Sequence, residues 1–493
     1  MSKEGYIKRE DRKKILLLSD DIRFTSGIST MAKEIVLGTA HRFNWVNLGA
    51  AINHPEQGNK LDVCGDTNTI AGIEDSSVFI YPCSGYGTPE LVRQLIDIEK
   101  PDAIMFFTDP RYWIWLFQME NEIRKKIPMI YLNIWDDLPA PLYNKPYYES
   151  CDALMAISKQ TANINRLVLG DKIANKIVKY VPHGINEKMF YPITSDMKED
   201  SAKVQALKTK FFGNDQPEFT VLYNARNIRR KCLPDLIAGY AEFCDSIGKE
   251  KAKKCALLLH TQPVDENGTD LPAVVDLICD PSYQRVVFST DRNSVQDMNI
   301  LYNTADVVAL PSSNEGWGLS LTEGMMCGKP IIATVTGGMQ DQMRFEDNNG
   351  DWIDFDENFC SNHFGTYKKA GKWAFPVFPS NMSLVGSVPT PYIFDDRADF
   401  RDIATQIQEV YALKSDKPKY GSLTRGFETY EDVCKAARAW VTSDESMQSA
   451  RWMCKNVIDT VEETLTAWKP RPKYEFIKIE KLPKKKIVHK LVY

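Results

Sequence analysis

Short apolar runs alternate with longer amphipathic stretches along most of the chain. The first run, residues 14–19, ends at two aspartates; Gly27 and a helical pattern over residues 28–37 follow. A short apolar run bounded by polar turn residues is typical of a buried parallel strand. The order strand, glycine-bearing turn, helix is the opening of a doubly wound α/β domain.

The same alternation recurs and then restarts after a polar stretch. Residues 193–216 carry no strand pattern and are interpreted as a linker. The pattern predicts further strands at 103–107, 129–134, 153–157 and 179–182 before it, and at 219–223, 256–260, 286–289, 307–310 and 330–333 after it. We therefore predict an α/β protein with two Rossmann-like doubly wound domains that face each other across a cleft.

The pattern also predicts the domain limits. We expect a first domain over residues 1–195 and a second over 196–440. Within the second domain, residues 344–395 are rich in Asn, Gly, Pro and aromatic residues, which predicts an insertion of loops. A helical pattern over 441–468 predicts a helix that crosses back to the first domain. The tail, 469–493, carries nine Lys or Arg residues against two Glu residues.

Composition narrows the class of protein. A chain of 493 residues is too long for one hydrophobic core, and its net charge is only -5. The 11 cysteines form no Cys-x-x-Cys pair, which argues against zinc and redox motifs. The N-terminal segment lacks an apolar signal region, and no apolar run reaches the ~20 residues that span a bilayer. A cytoplasmic protein without a membrane span is therefore expected.

The strongest candidate site follows the strand at 307–310. A glycine-containing loop comes next, and a helix is predicted to begin near Leu319. Backbone N–H groups at such a helix start attract a diphosphate, and carboxylates nearby can accept hydrogen bonds from sugar hydroxyls. The candidate donor-binding residues of this stretch are Glu315, Gly316, Trp317, Gly318, Leu319 and Glu323.

Glu315 and Glu323, with seven residues between them, resemble the E-x7-E motif of retaining glycosyltransferases of the GT-B type, family 4. Arg226 and Lys231 follow the strand at 219–223 with the family's spacing. The resemblance implies that both cations hold the donor diphosphate. Cys232 stands where the family commonly has Gly. The neighbouring Arg229 and Arg230 are interpreted as surface charges.

Further matches involve the first domain and the crossing between domains. Gly27 occupies the place of the family's glycine-rich loop, and Asp136 stands where relatives have a residue near the reacting sugar. The segment beginning at residue 181 resembles the end of the first domain, where we interpret His183 as structural. The resemblance assigns catalytic roles to Asp136, Glu315, Arg226 and Lys231, and a donor contact to Gly27.

The resemblance also implies the chemistry. The reaction would retain the anomeric configuration, use a nucleotide-sugar donor such as a UDP-sugar, and need no metal or other cofactor. The Asp-Phe-Asp sequence at 354–356 matches a metal motif of the other glycosyltransferase architecture, but it follows no predicted strand. We interpret it as a chance match.

For the acceptor, residues 25–56 and 133–139 resemble glycosyltransferases encoded by large tailed bacteriophages. Some of those enzymes glycosylate hydroxymethylated cytosine in DNA, which would place this chain in the host cytoplasm. The basic tail and the aromatic run at 111–115 are compatible with double-stranded DNA and a flipped base. We therefore predict 5-hydroxymethylcytosine in phage DNA as the acceptor.

Other functions stay open. A polysaccharide or lipid-linked glycan is the alternative acceptor, although no clear basic amphipathic helix is visible in the first domain. A nucleotide-sugar epimerase or hydrolase would share the fold. A catalytically silent sugar-binding module is disfavoured by the joint presence of Arg226, Lys231, Glu315 and Glu323.

Overall fold

The computed structural model describes residues 5–471, apart from 292, 357, 360, 389 and 416–428. Most of the predicted basic tail, from residue 472 onward, lies outside the described residues. The strands of the first domain are β1 (Lys13–Asp20), β2 (Phe43–Ala50), β3 (Leu61–Asp62), β4 (Val78–Pro82), β5 (Ala103–Phe107), β6 (Met129–Asn133), β7 (Ala153–Ala156) and β8 (Ile177–Tyr180). Its helices are α1 (Gly27–Thr39), α2 (Cys64–Ala71), α3 (Pro89–Glu99), α4 (Ile114–Gln118), α5 (Glu120–Ile123), α6 (Lys145–Glu149) and α7 (Lys159–Leu169).

The second part of the chain repeats this architecture. Its strands are β9 (Phe219–Asn224), β10 (Cys255–His260), β11 (Val286–Ser289), β12 (Val307–Leu310), β13 (Ile331–Thr334), β14 (Ala374–Val377), β15 (Asn381–Ser387) and β16 (Thr390–Arg397). The helices are α8 (Lys198–Phe212), α9 (Leu233–Ile247), α10 (Lys249–Ala252), α11 (Leu271–Ile278), α12 (Val295–Asn303), α13 (Leu319–Met326), α14 (Met339–Met343), α15 (Phe400–Ser415), α16 (Tyr430–Val441) and α17 (Ala450–Ala467). Residues 193–216, interpreted as a linker, therefore include the helix α8.

Two sheets confirm the predicted fold class. The first has the strand order β3-β4-β2-β1-β5-β6-β7-β8 and is parallel except for the β3–β4 pair. The second has the order β11-β10-β9-β12-β13-β14 and is parallel throughout. The central strands β1, β5 and β9 are apolar and almost wholly buried because helices cover both faces of each sheet.

Each sheet reverses its winding direction once. The chain winds outward from β1 and then crosses to β5, and it winds outward from β9 before it crosses to β12. Loops at the carboxyl ends of strands form a crevice at such a switch point. A Cβ placed on Gly27, after β1, would lie 3.2 Å from Leu319 Cδ1, after β12. The two switch points therefore face each other across the predicted cleft.

The last helix crosses back to the first domain, as predicted. Helix α17 packs against α1, β7 and β8. The backbone of Ile185 bridges to that of Ser449, just before α17 begins. At this crossing Gly184 lies so close to Ser449 that a Cβ on Gly184 would fall 2.3 Å from the Ser449 carbonyl oxygen. A glycine is required here because the opposing atom is backbone and cannot rotate away.

The region 344–395, expected to be loops, contains regular structure. β14 extends the second sheet beside β13, and β15 and β16 form an antiparallel hairpin. The hairpin contacts both domains: Phe394 N–H donates to the Leu138 carbonyl at 2.7 Å, and Asp396 N–H donates to the Ser313 carbonyl at 3.0 Å. The exposed hairpin strand β15 carries no strict apolar alternation, which explains why its pattern did not predict a strand.

Replacing Gly184 by alanine is predicted to destabilise the protein by roughly 1–3 kcal/mol, the usual cost of overpacking. The new methyl group would press on the Ser449 backbone and weaken the docking of α17. Chemical denaturation measures the change. Gly65→Ala in α2 is the matched control, because a Cβ there meets nothing within 4 Å. Equal midpoints for the two variants would contradict the prediction.

Candidate active site

The loop between β12 and α13 is shaped by two glycines. Gly318 adopts φ +81° immediately before α13, a left-handed conformation that a side chain would strain. A Cβ on Gly316 would lie 3.0 Å from the Ile134 carbonyl oxygen of the first domain. The loop therefore passes close beneath the first domain and presents the start of α13, with its free N–H groups, to the cleft.

Glu315 lies at the centre of a charge cluster on this loop. Its Oε2 accepts a short hydrogen bond from Lys231 Nζ and another, at 3.1 Å, from Arg230 Nη1. Ser312 Oγ lies 3.3 Å from the same oxygen. Burial opposes ionisation of Glu315, but Arg230 and Lys231 outweigh it and lower the pKa to about 2. Glu315 is therefore a carboxylate at neutral pH.

Arg226 and Arg230 differ in what their side chains contact. Arg226, a predicted donor ligand, forms a two-point ion pair with Asp265, with Nε 2.7 Å from Oδ2, and 61% of its side chain is exposed. The structure does not bring Arg226 to Glu315. Arg230, interpreted from the sequence as a surface charge, is 42% exposed, but its guanidinium also pairs with Glu315. Arg229 is exposed, as expected.

Lys231 is held by the turn that precedes α9. Residues Arg229–Lys231 form one turn of 3-10 helix, and Cys232 then adopts φ +52°. Cys232 thus takes the left-handed conformation for which glycine is the usual residue. The Ser313 N–H donates to the Arg230 carbonyl at 2.8 Å, so this turn is fastened to the Glu315 loop.

Glu323, the second glutamate of the motif, points to a different neighbour. Its Oε2 accepts a hydrogen bond from the hydroxyl of Tyr302 on α12, and that hydroxyl accepts one from Asn224 Nδ2 at 2.8 Å. Burial raises the pKa of Glu323 to about 7, and the Tyr302 bond partly offsets the rise. Tyr302 and Asn224 carry no motif of their own and were not predicted as site residues.

Asp136 approaches the cluster from the first domain. It follows β6 and is half-buried. Burial raises its pKa to about 6; Arg230 opposes this rise and Glu315 adds to it. The adjacent Asp137 has a pKa raised by burial and by Asp136, and its Oδ1 is buried without a hydrogen-bond partner among the described residues. The cleft thus brings Asp136 together with Glu315, Lys231 and Arg230.

The remaining predicted residues differ in how they face the cleft. Gly27 and Leu319 begin α1 and α13 and lie against each other. Trp317 was predicted to bind the donor, but its ring is 2% exposed and its Nε1–H donates to Thr322 Oγ1 at 3.0 Å. Its side chain therefore belongs to the core. His183 packs edge-on against Trp317, and burial lowers its pKa to about 3, which fits a structural role.

The β15–β16 hairpin completes one wall of the site. Asn314, next to Glu315, donates from Nδ2 to the Phe394 carbonyl at 2.8 Å and to Asp395 Oδ1 at 3.1 Å. On the other side, Tyr392 donates to the Ala140 carbonyl at 3.2 Å. The hairpin thereby fixes the spacing between the Glu315 loop and the loop that carries Asp136. This contact could not be predicted from the sequence, because the partners lie far apart along the chain.

The described residues contain no group of three or more His, Cys, Asp or Glu side chains arranged to hold a metal ion. At the Asp-Phe-Asp sequence, Phe355 stacks on Phe359. Over the same described part of the chain, none of the helices combines the length and the apolar character needed to cross a membrane.

Part of the chain is similar to known glycosyltransferases. Residues 277–358 match the family model "Glycosyl transferases group 1". The chain is similar to D-inositol 3-phosphate glycosyltransferase from Salinispora arenicola, with 26% identity over 168 residues, 34% of this chain and 36% of that protein. It is also similar to mannosylfructose-phosphate synthase from Agrobacterium fabrum, with 23% identity over 193 residues, 39% of each chain. The matches thus span little more than a third of these curated relatives.

Solved structures cover nearly the whole chain. HepE from Anabaena, in complex with UDP and glucose, superposes with a TM-score of 0.59 at 15% identity and covers 92% of this chain and 100% of HepE. Sucrose-phosphate synthase from Thermosynechococcus elongatus superposes with a TM-score of 0.63 at 16% identity, again over 92% and 100%. With its two facing Rossmann-like domains and returning helix, the protein has the GT-B fold.

Glu323 makes stability depend on pH in a defined direction. Its folded pKa of about 7 lies above the ordinary value of 4.5, so the folded state binds this proton more tightly than the unfolded state. The stability gained from the proton is fully present below pH 4.5 and is lost as pH rises through 7. The unfolding free energy of wild type minus that of Glu323→Gln is therefore predicted to fall between pH 5 and pH 8.

Denaturation in urea at pH 5, 6, 7 and 8 measures this difference. Glu250→Gln is the control, because Glu250 lies on the protein surface, where it pairs with Lys253. If the pH profiles of wild type and Glu323→Gln run parallel, the account of Glu323 is wrong.

Proposed function

We propose that this protein is a retaining glycosyltransferase that moves a sugar from a nucleotide-sugar donor to a hydroxyl acceptor. The observation that carries the proposal is the cluster of Lys231, Arg230 and Glu315 at the switch point of the second sheet, beside the start of α13. Cations and backbone N–H groups aimed at one place are what a departing nucleoside diphosphate requires. The family match over residues 277–358 supports this interpretation.

The donor would lie across the carboxyl ends of β9 and β12. As the bond between the anomeric carbon and the β-phosphate oxygen breaks, negative charge grows on that phosphate, and Lys231 stabilises it. Glu323 can accept hydrogen bonds from a ribose diol. The complex of HepE with UDP and glucose supports UDP as the nucleotide to test first.

Asp136 and Glu315 surround the place where the sugar would react. A carboxylate at each position can accept hydrogen bonds from sugar hydroxyls and hold the ring against the cleft. The resemblance to family 4 favours attack by the acceptor on the same face from which the diphosphate leaves, without a covalent intermediate. In that reaction the departing phosphate accepts the proton of the acceptor hydroxyl. No step of this mechanism draws on a metal ion.

Three aspartates lie at the edge of the first sheet where the acceptor would bind. Asp20 at the end of β1, Asp109 after β5 and Asp136 after β6 stand at the carboxyl ends of three neighbouring strands. Arg111, the nearby cation, is paired with Asp109. Carboxyl groups can accept hydrogen bonds from hydroxyl groups, so this edge fits a polyhydroxylated acceptor such as a glycan. Hydroxymethylcytosine in DNA stays a prediction of the sequence alone.

Product analysis tests the function and separates the acceptors. The protein would be incubated with UDP-, GDP- and ADP-sugars together with hydroxymethylcytosine-containing duplex DNA in one series and oligosaccharides in another, followed by mass spectrometry. A hexose or pentose mass added to either acceptor, with the α configuration kept by NMR, supports a retaining transferase. A donor that is only hydrolysed or epimerised would contradict it.

Lys231→Ala is predicted to lower kcat/KM for the donor by roughly 10²–10³-fold, the usual effect of losing one preorganised charge contact. Nucleotide release measures the rate. Lys254→Ala is the matched control, since Lys254 pairs with Glu218 on the surface and lies just before β10, away from the cleft. Wild-type turnover in Lys231→Ala would contradict the proposed donor site.

A further inference from the structure

Arg230 occupies a place that no motif assigns to it. Lys231 and Arg230 reach the same oxygen of Glu315 from neighbouring positions, and Arg230 Nη1 also donates to the Asn314 carbonyl at 2.7 Å. Both cations contact the single carboxylate of Glu315, and Asp136 is a further acidic group that faces them from the first domain. The cations therefore outnumber the carboxylates that they contact directly, which leaves room for an anionic ligand.

The guanidinium of Arg230 keeps donors available for a ligand. The described residues supply hydrogen-bond acceptors to its Nη1 alone, so Nε and Nη2 have no partner among them. Its side chain is 42% exposed, whereas that of Lys231 is 10% exposed. A guanidinium presents planar pairs of N–H groups that match two phosphate oxygens at once. Arg230 thus has both the exposure and the free donors that a diphosphate needs.

Arg226 is more exposed than Arg230, with 61% of its side chain accessible, but its donors are less available. Its Nε and Nη2 are both engaged by Asp265, which lies on the loop after β10. A diphosphate that binds through Nε and Nη2 of Arg226 would have to break this two-point pair. In Arg230 the described residues leave Nε and Nη2 without such a partner, and the Ser313–Arg230 backbone hydrogen bond holds its turn against the Glu315 loop.

We propose that Arg230, together with Lys231, binds the diphosphate of the nucleotide donor, and that the Glu315 carboxylate competes with that diphosphate for the same two cations. Arg230 is thereby the second phosphate ligand of the site, in the role that spacing alone would give to Arg226. The inference rests on the proposed function, since it names a further ligand of the donor site.

The Glu315 carboxylate pairs with the same two positive charges that the diphosphate would pair with, so removing its charge leaves both cations to the diphosphate. Glu315→Gln is expected to bind a nucleoside diphosphate more tightly than wild type does, although sugar transfer falls. If Glu315 only supported the fold, its replacement would not raise the affinity for a nucleoside diphosphate while it lowers the rate of sugar transfer.

The test is calorimetric titration of the full chain with UDP, GDP and ADP, followed by donor turnover with the nucleotide that binds. Arg230→Gln is expected to weaken nucleoside diphosphate binding roughly tenfold and to lower kcat/KM roughly 10²-fold, as for loss of one charged phosphate contact. Arg226→Gln is expected to cost at least about tenfold less in kcat/KM. Arg285→Gln is the matched control, because Arg285 pairs with Asp215 at the amino end of β11.

Two further variants distinguish the loss of a phosphate contact from the loss of folding. Arg230→Lys keeps the charge but loses the planar fork, so it should recover part of the binding lost in Arg230→Gln. In Arg230→Ala, added guanidinium ion should raise turnover, which a misfolded protein would not show. Denaturation midpoints of all variants are compared with that of wild type.

The outcomes separate the inference from the proposed function. If Lys231→Gln loses nucleotide binding while Arg230→Gln keeps it, or if Arg226→Gln loses more than Arg230→Gln, the role of Arg230 is refuted and the donor site stands. If Glu315→Gln binds the diphosphate more weakly than wild type, the competition is refuted. If wild type binds none of the three nucleotides, both the donor site and the role of Arg230 fail.

Discussion

A carboxylate enclosed between two domains needs compensating charge, and Glu315 obtains it from Lys231 and Arg230. Burial alone would favour the neutral acid, yet the two cations lower the pKa of Glu315 to about 2. Removing either cation would leave a poorly compensated charge in a site of low polarisability. The cations that stabilise the buried Glu315 carboxylate are those that a donor diphosphate would bind. The same charge cluster therefore affects both the stability of the fold and donor binding.

The backbone around this cluster is arranged to bring two domains into close contact. Gly316 allows the Glu315 loop to pass beneath Ile134, and Gly184 allows the returning chain to approach Ser449. The β15–β16 hairpin then hydrogen-bonds to both sides of the cleft. Such contacts define how far the domains can separate, and they place Asp136 near the charges of the second domain.

Much of the fold could be predicted because parallel strands buried on both faces leave continuous apolar runs. Strand β2 was not predicted. Its Asn47 is fully buried but hydrogen-bonds to Ser19 Oγ at 3.1 Å and accepts from Ile22 N–H at 3.2 Å, so a polar residue stands where an apolar one was expected. β14 was missed since its four residues follow an irregular stretch that resembles loops in composition.

Motif spacing predicted Lys231 and Glu315 for the same site, and the structure brings these two side chains into contact. The contact between Arg230 and Glu315 was not predicted, because a single 3-10 turn decides which of several adjacent cations reaches the carboxylate. Tyr302 was missed because it meets Glu323 only through the packing of α12 against α13.

Hydrogen–deuterium exchange of the full chain, with and without UDP, shows whether a nucleoside diphosphate binds between the turn before α9 and the loop before α13. We expect slower exchange in residues 225–232 and 312–323, and unchanged exchange in α2 on the far edge of the first domain. Protection that leaves both segments unchanged, or that falls on other regions alone, would contradict binding at this place.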